Sequence, residues 1–131
     1  MTVDTRYLVD TDVFILYIRE HPQALAFFRE AMAEIYYSRM TRKELLRPPI
    51  STREKEETLT FLQQYRIINP DPSIAEGFSA LLSKYAYLKD RLADALIAAT
   101  AWKKGMTVVT TNPRHFEPIE EISVKRFPED F

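Results

Sequence analysis

The sequence predicts an α/β fold with a short, mostly parallel central sheet flanked by helices. Three observations lead there. Short apolar bursts suited to buried strands alternate with longer helical patterns, which implies a sheet covered on both faces. Helix starts and stops are marked by capping-box spacing, prolines at first turns and a closing glycine. No internal repeat, linker or low-complexity stretch interrupts the 131 residues, so one domain over 1–131 is expected.

Taken in order, Tyr7, Leu8 and Val9 form the first buried strand, ending at Asp10. The pattern then turns helical through Val13, Phe14, Leu16 and Tyr17 and breaks near Pro22. Proline suits a first turn, so a second helix is expected from Pro22 to about Met32, with Leu25, Phe28, Arg29 and Met32 on one face and alanine and Phe27 alongside. Ile35, Tyr36 and Tyr37 read as a second strand. Thr41 to Glu44 and Ser51 to Glu54 both have capping-box spacing, which starts one helix at each, separated by Pro48 and Pro49. Arg66 to Ile68 is a third strand, followed by the turn Asn69-Pro70-Asp71-Pro72 and a helix from near Ser73 towards Tyr85. A helix over Arg91 to Lys104 ends at Gly105 as a left-handed cap. The strand Thr107 to Thr110 and a short edge strand near Ser123 to Arg126 complete the chain.

Composition narrows the chemistry. With 46% hydrophobic and 28% charged residues the chain is an ordinary globule. Cysteine is absent, which removes disulfides, thiolate metal sites and thiol nucleophiles, and His21 and His115 are too few for a histidine-rich centre. The two glycines, Gly77 and Gly105, leave no Gly-rich phosphate cradle. No stretch reaches the roughly 18 apolar residues that span a membrane, and the opening MTVDTRYLVD lacks a signal-peptide pattern, so a cytoplasmic protein is expected. A net charge of -1 and a pI near 6.1 argue against general coating of nucleic acid, while leaving room for a local basic patch.

In open parallel sheets, sites form beyond the carboxyl ends of the strands. Asp10 stands at such an end, where a charge beside a buried strand needs a cap, a cation or a metal to offset desolvation. Asp12 could cap the helix beginning at Val13. Asp94 lies in a run that is apolar on nearly every side, from Leu92 to Ala101. The helix N-terminus would offset only about 0.3–1 kcal/mol of its charge. Glu44, three residues after Thr41, has a capping role open to it. Hard divalent ions take oxygen ligands, one or two carboxylates with waters and substrate phosphate, so these acids could converge on one ion.

These stretches resemble the PIN domain, and in particular the VapC-like toxin ribonucleases of toxin–antitoxin pairs. Tyr7 to Ile18, YLVDTDVFILYI, is similar to the family's first motif, and Ser38 to Leu45, SRMTRKEL, to its second. Leu92 to Ala101, LADALIAATA, and Val108 to Phe116, VVTTNPRHF, resemble the third and fourth. The resemblance implies a PIN-like three-layer fold and a metal-dependent ribonuclease using Mg2+ or Mn2+. It assigns catalytic and metal-site roles to Asp10, Glu44 and Asp94. Thr110, Thr111 and Asn112 become supporting or substrate-contact positions. The acid that often precedes Phe in the fourth motif is His115 here, which bears on a second metal, and Asp12 is placed to compensate. RNA phosphates could be held by Arg39, Arg42, Lys43, Arg47, Lys89 or Arg91. An antitoxin partner and a homodimer follow from the resemblance alone. Two alternatives stand beside it. One is a weakened PIN domain that binds RNA or protein without cutting. The other is a haloacid dehalogenase-like phosphatase, suggested by Asp10-Thr11-Asp12-Val13 after an apolar strand but lacking the later lysine and acidic pair.

Overall fold

The computed structural model describes residues 5–131. Five strands form one sheet: β1 (Tyr7–Val9), β2 (Ile35–Ser38), β3 (Arg66–Ile68), β4 (Thr107–Thr110) and β5 (Ser123–Arg126). Their order is β3-β2-β1-β4-β5 and every neighbouring pair is parallel. Six helices connect and cover them: α1 (Thr11–Ile18), α2 (Pro22–Glu30), α3 (Arg39–Leu45), α4 (Thr52–Leu62), α5 (Pro72–Lys84) and α6 (Leu92–Lys104). Short 3-10 turns stand at Met32–Glu34, Ala86–Asp90 and Pro113–His115.

Strand periodicity sorts the core into two layers, because successive side chains point to opposite faces. Leu8 and Val108 are register partners and face α5 and α6, joining Ile74, Leu81, Leu88, Ile97 and Phe116. Val9 and Val109 face the other way, against Phe14, Phe28, Phe61 and Phe127. Three layers result, as the sequence predicts. The chain runs from β1 outward to β2 and β3, then returns across the sheet to place β4 on the far side of β1. The strand order therefore reverses between β1 and β4, and the crevice beyond their carboxyl ends is where such sheets place ligands.

Several local expectations shift. The first helix starts at Thr11 with Asp10 as its N-cap, so Asp12 lies inside the first turn and is free of that duty. The second helix ends at Glu30, and its buried face is Ala24, Phe27 and Phe28, with Leu25 and Met32 exposed. Phe27 and Phe28 are buried as expected, and because two adjacent aromatic rings bury more apolar surface than Leu25 and Met32 would, the helix turns those two and Arg29 outward. The third helix starts at Arg39 because Ser38, whose Oγ accepts from Met40 N at 3.1 Å, caps it before Thr41 can. The box at Ser51 is as expected. Its hydroxyl accepts from Glu54 N at 3.1 Å and donates to Glu54 Oε1 at 2.9 Å. Gly105 closes α6 with φ +64°, a conformation that side chains other than glycine adopt at a cost. No helix among the described residues is long and apolar enough to cross a membrane.

Candidate active site

Asp10 ends β1 and begins α1, so its backbone is fixed from both sides. Its N–H donates to Val109 O at 2.9 Å, while Oδ1 accepts from Thr11 N at 2.9 Å. Oδ2 accepts from Thr110 Oγ1 at 2.9 Å. The Thr110 hydroxyl in turn accepts from Asn112 N at 2.9 Å, which leaves its single proton for Asp10. The residue is only 7% exposed. Burial pushes its carboxyl up to about 7, against the Thr110 and Thr11 hydrogen bonds, and the charges of Asp12 and Asp94 push the same way.

Asp94 enters from the opposite layer, on the first turn of α6. Burial raises its carboxyl too; His115 and Arg91 pull it down, and Asp12 pushes it up. His115 Nδ1 lies 3.2 Å from Asp94 Oδ2, and Arg91 Nη1 lies 3.8 Å from the same oxygen. Asp12 is held from β4: Thr111 Oγ1 donates to its Oδ2 at 3.3 Å, and Asn112 Nδ2 donates to that oxygen as well. Asp10, Asp12 and Asp94 thus share one electrostatic neighbourhood.

Glu44 reaches the cluster through Thr11. Thr11 Oγ1 is 3.0 Å from both Glu44 Oε1 and Thr41 Oγ1. One hydroxyl carries one proton, and the carboxylate, as the stronger acceptor, takes it; Thr41 then donates to Thr11. The packing of α3 against α1 and α6 brings this about. Glu44 is therefore no cap for Thr41, which is itself fully buried. Sequence reasoning missed Thr11 as a junction. Its signal was a polar β-branched residue between two aspartates at a strand end.

The structure brings Asp10, Asp12 and Asp94 together and attaches Glu44 through a hydroxyl. Among the described residues, no three carboxylate or imidazole groups form a closed ligand cage. The donor set nonetheless fits a hard divalent ion, which takes one or two carboxylates and completes its shell with water and phosphate. Asp10 has acceptor capacity beyond its two hydrogen bonds, and neighbouring like charges that a cation would offset.

The PIN domain model matches residues 7–121. The chain belongs to the PIN domain family. That membership sets aside the phosphatase alternative. No curated protein sequence matches the chain. Solved structures do. The DNA-bound VapBC complex from Salmonella typhimurium contains a chain with TM-score 0.82 and 21% identity, over 94% of this chain and 98% of that one. FitAcB from Neisseria gonorrhoeae has TM-score 0.72 and 24% identity over 90% and 95%. A toxin–antitoxin complex from Klebsiella pneumoniae has TM-score 0.71 and 27% identity over 88% and 94%. The PIN fold of this chain is thus the fold of proteins found in toxin–antitoxin complexes.

Proposed function

We propose that this PIN protein, as one domain over residues 1–131, is the toxin of a toxin–antitoxin pair and hydrolyses RNA phosphodiester bonds with Mg2+ or Mn2+. The observation that carries the reading is Asp10: a buried carboxylate at the strand-order reversal, near enough to Asp12 and Asp94 for their charges to act on it. Asp10 and Asp94 would hold the cation directly, and Glu44 directly or through water. A bound divalent cation supplies a water of lowered pKa and offsets charge developing on the phosphate.

The chain's own residues do the positioning. Thr110 fixes the Asp10 carboxylate and Asn112 N fixes Thr110. Thr111 and the Asn112 side chain orient Asp12, and Thr11 orients Glu44. Arg39, Lys43, Arg47, Lys89 and Arg91 are exposed and available to RNA phosphates. The antitoxin partner, which the structural neighbours have in their complexes, is extended to this chain as part of the same reading, with a homodimer and a cytoplasmic setting.

The test is RNA cleavage by purified protein with and without Mn2+ or Mg2+, comparing the parent with Asp10→Asn. Loss of a metal-holding carboxylate is expected to reduce the rate by at least about a hundredfold. Equal cleavage by both proteins would remove Asp10 from the site. A second reading, a PIN domain that binds without cutting, draws on the pairing of Asp94 with both Arg91 and His115. A metal that binds only the folded state must raise the melting temperature. Absence of that rise, with RNA present as well, favours this second reading.

A further inference from the structure

A cavity of about 510 Å3 opens beside the start of β1, between α2 and the turn that follows β5, and shares no residue with the carboxylate cluster. Tyr7, Phe27, Phe127 and Phe131 wall it, and Glu30 and Glu34 line it as well. We propose that this cavity binds a small organic dication, with a guanidinium at one end and an amine at the other. The proposal is independent of the nuclease reading.

The cavity has the dimensions and character of a ligand site. Small-molecule sites measure roughly 300–1,000 Å3 and combine apolar walls with a few polar groups. The walls are fixed by packing: Phe27 and Phe127 are 6% and 2% exposed. Phe131 stands edge-on to Phe27 and to Tyr7, with ring centres 4.8 and 5.7 Å apart, yet remains 48% exposed. The chain itself shows which charge these rings draw. Lys125 Nζ lies 5.6 Å from the centre of the Tyr7 ring and 5.3 Å from that of Phe131, where the negative ring faces attract a cation.

The carboxylates select the same sign. Among the described residues, neither Glu30 nor Glu34 is in an ion pair. Glu30 is also the last residue of α2, where the negative end of the helix dipole disfavours an acid. A cation in the cavity offsets both. A hard metal ion would gain nothing from the rings, and a quaternary ammonium has no N–H for the carboxylates. A guanidinium uses both, since it stacks on aromatic faces and donates a fork of N–H bonds to a carboxylate. Two carboxylates call for two positive ends, which a free guanidinium–amine molecule has and a single arginine side chain lacks.

The experiment is calorimetric titration of the full chain with agmatine at low salt, beside putrescine, which has two amines and no guanidinium, and N-acetyl-arginine amide, which has one charge. Agmatine is expected to bind, and each of the other two to bind about tenfold more weakly. Glu30→Gln with Glu34→Gln is expected to weaken agmatine at least about tenfold, because charge-assisted hydrogen bonds are lost. Glu30 is exposed and Glu34 half-buried, so this double variant keeps the fold. Lys125→Met removes the chain's own cation from the rings and is expected to tighten agmatine about two- to fivefold. Absence of agmatine binding, or binding equal in the double variant, overturns the site. Putrescine binding as tightly as agmatine overturns the guanidinium, and the capped arginine binding as tightly replaces the free ligand by a partner's side chain. Weaker agmatine binding in Lys125→Met overturns the contact with the ring faces.

Discussion

Carboxylates occupy two kinds of place in this molecule, and the two behave oppositely. At the carboxyl end of β1 and on the first turn of α6, burial raises the Asp10 and Asp94 carboxyls above their ordinary range. On the rim, partners hold three others below it. The Lys104 ammonium does this for Asp71, the Tyr85 hydroxyl and then Lys84 for Glu121, and Arg126 for Asp130. The rim groups sit where the fold gains from their charge. The central groups sit where the fold would be more stable with the charge gone. A site that concentrates negative charge at a sheet reversal does so against folding stability, and a bound cation is what would reconcile the two.

The largest test of that contrast is Asp10→Asn in metal-free protein. An Asp carboxyl raised from 3.8 to about 7 keeps its proton in the folded chain after the unfolded chain has released it. Between these values stability falls as pH rises, and above about 7 it levels off. An asparagine has no such slope. At pH 8 the variant is expected to be more stable than the parent by up to about 4 kcal/mol, at roughly 1.4 kcal/mol per pH unit. The two should approach each other near pH 4. Urea titrations in chelator at both pH values measure this. A parent whose stability does not fall, relative to the variant's, between pH 4 and pH 8 would mean that Thr110 and Thr11 compensate the buried charge fully, and the contrast with the rim would fail.

A smaller effect sharpens the picture from inside the site. Thr41 is fully buried, and its hydroxyl meets Thr11 Oγ1 at 3.0 Å. Thr41→Val preserves shape and removes one member of that buried network. The expected cost is about 1–2 kcal/mol, read as a lower denaturation midpoint. Glu44 keeps its direct bond from Thr11, so metal affinity should change less than stability. The reverse pattern would show that Thr41 holds Glu44 in place more than it holds the core.

How much of this was legible beforehand follows the same physics. Asp10 and Asp94 stood out in the sequence because charge beside apolar runs is a local contradiction, visible without a structure. The alternation of short strand patterns with helical ones likewise predicted a sheet covered on both faces. The reversal of strand order between β1 and β4 was not legible, since periodicity assigns strands but not their neighbours. Nor was the start of α3. Ser38 and Thr41 are both competent caps, and Ser38 takes the role where β2 ends. Glu44 looked like a capping residue because its spacing from Thr41 is correct, and only the packing of α3 against α1 turns it to Thr11. The approach of His115 to Asp94 joins the turn after β4 to the start of α6, a contact that no spacing rule encodes.

The smallest expected effect lies at the rim, and its smallness is informative. Arg126 and Asp130 form a pair one helical turn apart in sequence, with Nη2 at 3.1 Å from Oδ1, and Asp130 Oδ2 also accepts from Arg126 N at 2.7 Å. Asp130 is held below its ordinary range chiefly by the Arg126 hydrogen bond, so its contribution is present near neutrality and fades as pH falls through its lowered value. Exposed pairs gain little because water and salt screen them. Asp130→Asn is therefore expected to leave the denaturation midpoint at pH 7 nearly unchanged and to reduce slightly the loss of stability on acidification. Raising the salt should bring parent and variant together at neutral pH. The opposite sign at the two locations, stability lost with rising pH at Asp10 and with falling pH at Asp130, is the comparison in its most measurable form. A shared sign would mean that location does not decide what a carboxylate does here.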